Sequence, residues 1–357
     1  MPQTPLHATH EKLGASFTDF GGWEMPLKYG SELEEHRAVR TDVGIFDLSH
    51  MGEITIQGPD AAAFLDYALI SNFSALKDGK AKYSMIVAED GGIIDDLITY
   101  RFSENHFMVV PNAANTNAVW AAFEARQGDF EVQLSNNSEA FALVAVQGPR
   151  AIEVLEPLLS DDASALSYYS GAWMTLDGVE TFVARTGYTG EDGFELFCTR
   201  EDAQKVWDAV IDHGTPCGLA ARDSLRLEAS MPLYGHELTA EITPVEAGMG
   251  RAFAKKEADF VGKDALTGRE PSVVIAGLTS EQRRAAREGA EVFLKGSDDK
   301  IGVVTSGQPS PTLGYPVALA HLDPAHAEEG TDVEIDIRGR RYPFTIAPTP
   351  FYSRKDA

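Results

Sequence analysis

The chain has 357 residues, with 30 Lys and Arg against 55 Asp and Glu, a formal net charge of −25. At roughly 150 residues per domain this length predicts two or three domains with room for a real core. A content of 43% hydrophobic and 24% charged residues excludes global disorder.

No stretch approaches the ~18 uncharged apolar residues that a membrane span needs. The acidic balance argues against a nucleic-acid protein, whose phosphate contacts need clustered Lys and Arg. Any anionic ligand must find specific Arg or Lys residues against an unfavourable background field. Cys198 and Cys217 are too few for a disulfide framework. Neither CxxC nor HExxH spacing occurs, so no metal site is expected. Residues 1–10 lack a basic segment followed by an apolar run, and the expected location is the cytoplasm.

The first predicted helix runs from Ser31 to about Asp42. Ser31 and Glu34 form a capping box, and Gly44 is placed to close the C-terminus. A strand and a Gln57-Gly58-Pro59 turn follow, then a helix carrying Phe64, Leu65, Ala68 and Leu69. Ninety residues later Val144-Ala145-Val146 leads into Gln147-Gly148-Pro149 and a helix marked by Ile152, Leu155 and Leu159. The two segments read as copies of one strand-turn-helix unit. Strands are predicted at Tyr83 to Val87, Ile93 to Phe102 and Phe107 to Val110, separated by turn signals. Thr199 and Asp202 open a further helix carrying Val206, Trp207, Val210 and Ile211. The charged segment 269–289 reads as a linker. Beyond it, five short strands (from Glu291, Gly302, Val317, Asp332 and Tyr342) suggest a C-terminal β-barrel or sandwich.

Several residues could carry chemistry. Gly187, Gly190 and Gly193 recur every third position, which is neither a dinucleotide nor a Walker loop. Two readings stay open: a tight hairpin, or close approach of a ligand faced by Tyr188 and Glu195. Strand alternation puts Ile94, Asp96, Ile98 and Tyr100 on one face and Asp95 on the other. Asp96 is then either solvent-facing or a costly, functional carboxylate among apolar neighbours. Arg222, in Ala220 to Glu228, is either a surface partner on a helix or an anion anchor able to grip a carboxylate twice. Ser49-His50 is a nucleophile-like pair without a GxSxG elbow, and Met51 beside it reads more readily as core.

Taken together these segments resemble the T-protein family of the glycine cleavage system, the tetrahydrofolate-dependent aminomethyltransferases. The resemblance rests on Thr4 to His7, Asp19 to Leu27, Phe46 to Glu53, Gly91 to Leu97, Arg185 to Glu195, Gly218 to Ala229 and Ser310 to Gly314, which span nearly the whole chain in order. It implies an α+β fold of three lobes in a cloverleaf arrangement around a central folate channel. Residues 1–265 would form two α+β lobes of a folate-binding aminomethyltransferase region, and residues 266–357 a C-terminal β-barrel. It implies an enzyme of one-carbon metabolism and glycine catabolism. The lipoylated H-protein would be its partner, and tetrahydrofolate would accept the one-carbon unit with release of ammonia. By the same resemblance Asp96 is catalytic and stabilises the developing cation. Glu195 accepts from the pterin, Arg222 binds ligand, and Met51, Tyr83, Ile98, Tyr100, Asn112 and Tyr188 line the channel.

The sequence departs from the family pattern at Arg251, where a Trp is often found, and at Pro111, which is expected to end its strand early. Tyr352 aligns only loosely with the site. Two rivals share the fold: folate-dependent demethylases, often fused to a flavin domain, and folate-binding proteins that assist iron–sulfur assembly. No flavin-binding extension is expected, and the motifs follow the T-protein pattern more closely than that of the first. The second carries a Cys-containing motif where this chain reads Met231-Pro232-Leu233-Tyr234-Gly235-His236-Glu237.

Overall fold

Gln57-Gly58-Pro59 and Gln147-Gly148-Pro149 build the same turn. Gly58 and Gly148 adopt φ of +140° and +139°. A Cβ on either would fall 2.2 Å from a carbonyl oxygen, that of Glu131 or of Asp42, so only glycine fits. The computed structural model describes residues 1–355, so the last two residues of the expected 266–357 segment lie outside the described residues.

Around the two turns the chain repeats one topology. In the first copy, strand Ile54–Gln57 leads to helix Ala61–Ala68, a meander (Ala81–Val87, Ile93–Ser103, His106–Pro111), helix Thr116–Arg126 and edge strand Gln133–Asn136. In the second, strand Phe141–Gln147 leads to helix Ala151–Leu155, a meander (Gly171–Leu176, Val179–Ala184, Gly193–Thr199), helix Ala203–Ile211 and the short strand Thr215–Pro216. In both sheets the opening strand pairs with the last strand of its meander. The second sheet differs by inserting Gly44–Asp47 beside its opening strand. The duplication read from six residues is therefore a duplication of whole lobes.

Apolar alternation decides how these sheets stack. One face of each is covered by its own helices, around Phe64 and Phe123 in the first lobe and Trp207 and Val206 in the second. The other faces meet each other through Phe46, Tyr100, Met108, Leu143, Phe182 and Phe197. A two-stranded ribbon, Ser16–Phe20 with Trp23–Lys28, flanks the pair of sheets.

Residues Val274–Thr279, Pro316–Leu322, Lys300–Pro309, Glu291–Leu294, Asp332–Asp336 and Arg341–Ala347 close into a six-stranded barrel, in that order around the ring. Five of its strands were legible. The sixth, Val274–Thr279, lies inside the segment read as a linker. Its apolar run is flanked by Arg269-Glu270 and Glu281 to Glu288, and averaging over the charges hid it.

Other expectations shift locally. Ser31 caps helix Glu32–Thr41, its Oγ accepting from Glu34 N at 3.4 Å, but among the described residues Glu34 does not return the bond that completes the box. The helix ends at Asp42, and Gly44 opens the next strand. Gly44 makes room rather than a turn: a Cβ there would lie 2.3 Å from Val39 Cγ2. Between Thr199 and helix Ala203–Ile211 lies a 3₁₀ turn, Arg200–Asp202, and Asp202 makes no side-chain cap. The register shift between Ile86 and Val87 leaves Ile94 unpaired as a bulge. Ile94 therefore packs with Leu97 toward the helices rather than sharing the face of Asp96 and Ile98. Pro111 is the last residue of its strand and pairs with Leu97, so the strand runs one residue past the expected end at Val110 rather than stopping early.

The lobes and the barrel meet on helix Leu219–Glu228. Its last residue, Glu228, is fully buried. Glu228 Oε2 accepts from Arg40 Nε (3.1 Å), Arg40 Nη2 (2.9 Å) and Thr312 Oγ1 (2.7 Å), and His36 Nε2 lies 3.2 Å away. Oε1 accepts from Thr312 N at 3.0 Å and from Ser310 Oγ. Burial alone would raise this carboxyl's pKa. The contacts from His36, Ser310 and Arg40 outweigh it and hold the pKa at about 2.

The depressed value fixes a sign. Stabilisation by Glu228 is complete above the unfolded value near pH 4.5 and is lost as pH falls from there towards 2, roughly 3 kcal/mol in all. Glu228→Gln should cost roughly 3–5 kcal/mol at pH 7, because it leaves the buried Arg40 with only one of its two carboxylate partners, Glu191. In urea unfolding the gap between wild type and variant should narrow between pH 5 and pH 3. A constant gap would contradict this account.

Candidate active site

Where the two inner sheet faces part, they leave a cavity of about 270 Å³. Tyr83, Asp96, Ile98, Val110 and Asn112 reach it from the first lobe. Thr186, Tyr188 and Glu195 reach it from the second. Met51 comes from the connection after strand Gly44–Asp47, and Arg222 from helix Leu219–Glu228. Of the nine residues expected on this wall, eight stand on it. Tyr100 is the exception: it is buried behind Glu195 and supports it through its hydroxyl. Sequence reasoning missed Phe20, Tyr169 and residues 231–234. Phe20 ends the first strand of the ribbon, and Tyr169 sits in a loop with φ of +60°, a strained value for a bulky residue. Residues 231–234 were read only for the cysteine they lack.

Asp96 is held from two sides. Tyr83 Oη donates to its Oδ2 at 2.9 Å, and Asn112 Nδ2 donates to its Oδ1 at 2.9 Å. Strand alternation places Asp95 on the other face, but it does not reach solvent. It is buried, and it accepts from Asn112 N (2.9 Å), Asn112 Nδ2 (2.9 Å) and Asn115 Nδ2 (2.7 Å). The pairing of Leu97 with Pro111 explains this, because it sets Asn112 at the strand end opposite Asp96, within reach of both carboxyls. Burial raises the pKa of Asp96, against the lowering effect of Tyr83 and Asn112. Burial, then the charge of Asp96, lifts Asp95 to about 7. Tyr83, pushed well above 10 by burial and by Asp96, remains a neutral donor.

Glu195 is fixed through one oxygen only. Its Oε2 accepts from Thr186 Oγ1 at 2.5 Å and from Tyr100 Oη at 3.1 Å. Its Oε1 has no hydrogen-bond partner among the described residues and borders the cavity. The guanidinium of Arg222 lies 4.7 Å from the Tyr188 ring centroid and pairs with no carboxylate among the described residues. A cation held by an aromatic face, with no anion of its own, suits an incoming anion. Arg226, one turn on, is committed elsewhere: it is buried between Asp223 and Glu237, both at 2.8 Å. The pair with Glu237 is buried on both sides, whereas Asp223 is half-exposed.

Gly187 and Gly193 make room for Gln147, and Gly187 also lines the cavity. A Cβ at either would collide with the side chain of Gln147, at 2.1 and 2.5 Å. Gln147 Nε2 donates to Thr186 O and Oε1 accepts from Thr189 Oγ1, which ties the loop to the opening strand. Gly190 alone takes a positive φ, +83°. Ser49 and His50 form no dyad. Ser49 Oγ is engaged with Leu143, while both ring nitrogens of His50 are buried without a partner. Burial, aided by Arg222, pushes His50 down to about 3, so it stays neutral. Arg251 is exposed beside Asn72 and Lys255, off the cavity wall. Tyr352 is structural: its hydroxyl donates to Glu191 at 2.6 Å and its ring stacks on Arg40. Among the described residues no His, Cys, Asp and Glu cluster could hold a metal, and no helix is long and apolar enough to cross a membrane.

Two repeated α+β lobes, a barrel and an interlobe cavity with opposed carboxylates define a three-lobed transferase class. Residues 6–257 match the GCVT N-terminal domain, and residues 274–353 the glycine cleavage T-protein C-terminal barrel domain. The chain is similar to the aminomethyltransferase of Corynebacterium aurimucosum, at 60% identity over 98% of each chain. It is 51% identical to that of Streptomyces avermitilis, over 99% of this chain and 98% of the other. The crystal structure of the glycine cleavage system aminomethyltransferase T from Bartonella henselae superposes with a TM-score of 0.93 at 38% identity, covering 99% of this chain and 98% of that one. The chain belongs to the glycine cleavage T-protein family, and it is an enzyme of the aminomethyltransferase class.

The Tyr83 hydrogen bond favours the ionised form of Asp96. Tyr83→Phe should therefore move the titration midpoint of the Asp96 carboxyl upward, read by ¹³C NMR of labelled aspartate. A midpoint that stays in place or falls would show that the hydroxyl does not tune Asp96.

Proposed function

We propose that this enzyme takes the one-carbon unit from an aminomethyl group on the lipoyl sulfur of H-protein and transfers it to tetrahydrofolate. The observation that carries this reading is the placement of Asp96 and Glu195, from different copies of the repeat, on one apolar cavity that also holds the unpaired Arg222.

The roles follow from the geometry. The aminopyrimidine edge of a pterin presents adjacent N–H donors, and Glu195 offers Oε1 free and Oε2 already oriented by Tyr100 and Thr186. Tyr188 and Tyr169 supply flat walls for the rings, and Arg222 suits the anionic glutamate tail. As the carbon–sulfur bond breaks, positive charge builds on the one-carbon fragment. Asp96, its orientation fixed by Tyr83 and Asn112, is the carboxylate that opposes this charge in a site of low dielectric. The balance closes without a redox step. Two folate N–H protons are lost as the methylene bridges N5 and N10; one ends on the lipoyl sulfur and one on the departing ammonia.

No metal is needed by this scheme, and its setting is the cytoplasm. We also propose that residues 1–265 are the folate-binding region and 266–357 the supporting barrel, since every side chain on the cavity wall comes from the former.

A coupled assay with lipoylated H-protein and tetrahydrofolate tests the reading, and an inactive, folded enzyme refutes it. Asp96→Asn should lower the single-turnover rate by on the order of 10²–10³, about 2.7–4 kcal/mol, with far less effect on folate affinity. Glu195→Gln should raise the KM for folate more than it lowers kcat; the reverse would reassign Glu195 to chemistry. Arg222→Ala should weaken tetrahydrofolate binding by roughly 1.5–3 kcal/mol in calorimetry.

A further inference from the structure

We propose that Asp95 is a positioning residue for Asp96, acting through the side-chain amide of Asn112. The inference rests on the transfer reading above and assigns a second carboxylate to the same centre.

The Asn112 amide carries two N–H donors. Three acceptors surround it: Asp95 Oδ1 at 2.9 Å, Asp96 Oδ1 at 2.9 Å and the Asp96 carbonyl at 3.0 Å. Left alone, such an amide could turn to satisfy any two. Asp95 removes that freedom. Its Oδ2 takes the Asn112 backbone N–H while its Oδ1 takes one side-chain proton, so the residue is gripped at both ends. The other side-chain proton then faces Asp96. Asn115 Nδ2, at 2.7 Å, holds Asp95 in turn.

Asp95 does not touch the cavity and is wholly buried, so it cannot bind substrate itself. No Lys, Arg or His lies within ion-pair distance of it among the described residues. An isolated buried carboxylate is costly, and a packing residue would be cheaper, which argues that the charge is kept for its effect on a neighbour. The charged and titratable groups facing the pair are Tyr83, Tyr188, Tyr234 and Arg222, and none intervenes between the two carboxyls. Adjacent like charges bridged by one amide titrate as a pair.

The test uses the full-length enzyme. In ¹³C-labelled wild type, without folate or H-protein, the Asp96 carboxyl should titrate with two inflections, and in Asp95→Asn with one. With both substrates, Asp95→Asn should slow the single-turnover rate at least tenfold while the tetrahydrofolate Kd stays within threefold. The double variant with Asn112→Ala should be no slower than Asn112→Ala alone, because both act on one contact. Should Asp95→Asn fail to fold, Asn115→Ala removes one donor from Asp95 and should raise the apparent pKa values of the pair. An unchanged Asp96 titration, a normal rate in a folded Asp95→Asn, or additive losses in the double variant would each overturn the proposal. The titration needs no substrate, so its failure is distinct from an enzyme that proves inactive with H-protein.

Discussion

Glu228 is the point on which the site's geometry depends. Its carboxylate gathers Arg40 and His36 from helix Glu32–Thr41 and Ser310 and Thr312 from the barrel. Arg40 extends the network to Thr189 O at 2.7 Å and Glu191 at 3.0 Å, in the loop that carries Tyr188. Buried ion pairs contribute little net stability when weighed against apolar packing, but breaking one partner is expensive. The physical role of the cluster is therefore registry. It fixes the rotation of helix Leu219–Glu228, and with it the direction of Arg222. The second buried pair, Arg226 with Glu237, reaches Ser306 and Thr305 and pins the same helix from the barrel side. The barrel places no side chain on the cavity wall, yet it determines where the wall stands.

The cavity exists because two sheets stacked face to face cannot fill the space where they diverge. Large apolar residues close the middle of the interface, around Tyr100 and Phe182, and polar groups converge at its margin. Such a junction between lobes is a usual place for a ligand site, since the scaffold on each side is rigid. Glu195 shows how closely core and site are joined. The tyrosine that orients it belongs to the core of the interface.

Local patterns carried far in this chain. Strand positions in the first meander, the Ser31 cap and most of the barrel follow from alternation and turn residues, and the Gln-Gly-Pro turns exposed the duplication. What escaped was set by pairing across strands. A bulge at Ile94 is invisible until the partner strand is known, and it turns one residue away from the site. Alternation puts Asp95 on the face away from Asp96 because it describes faces, not strand ends, where Asn112 reaches both carboxyls. Phe20, Tyr169 and residues 231–234 come from ribbons and loops without periodicity. Eight of the cavity's named residues were found through whole-chain resemblance, which carries the three-dimensional information that spacing lacks. The packing of Gly187 and Gly193 against Gln147 was not legible, because that neighbour lies forty or more residues away in sequence.

The covalent joining of the two copies has a consequence for symmetry. A homodimer of one such unit would place identical patches on both sides of its axis, and any cleft on that axis would present the same groups twice. A ligand with unlike ends would then meet the wrong partner on one side. Fused in one chain, the copies are free to differ: the first supplies Asp96, the second Glu195, and only the second buries its turn glutamine while Gln57 stays at the surface beside His106. The cleft thereby gains polarity, with unlike groups at its two ends.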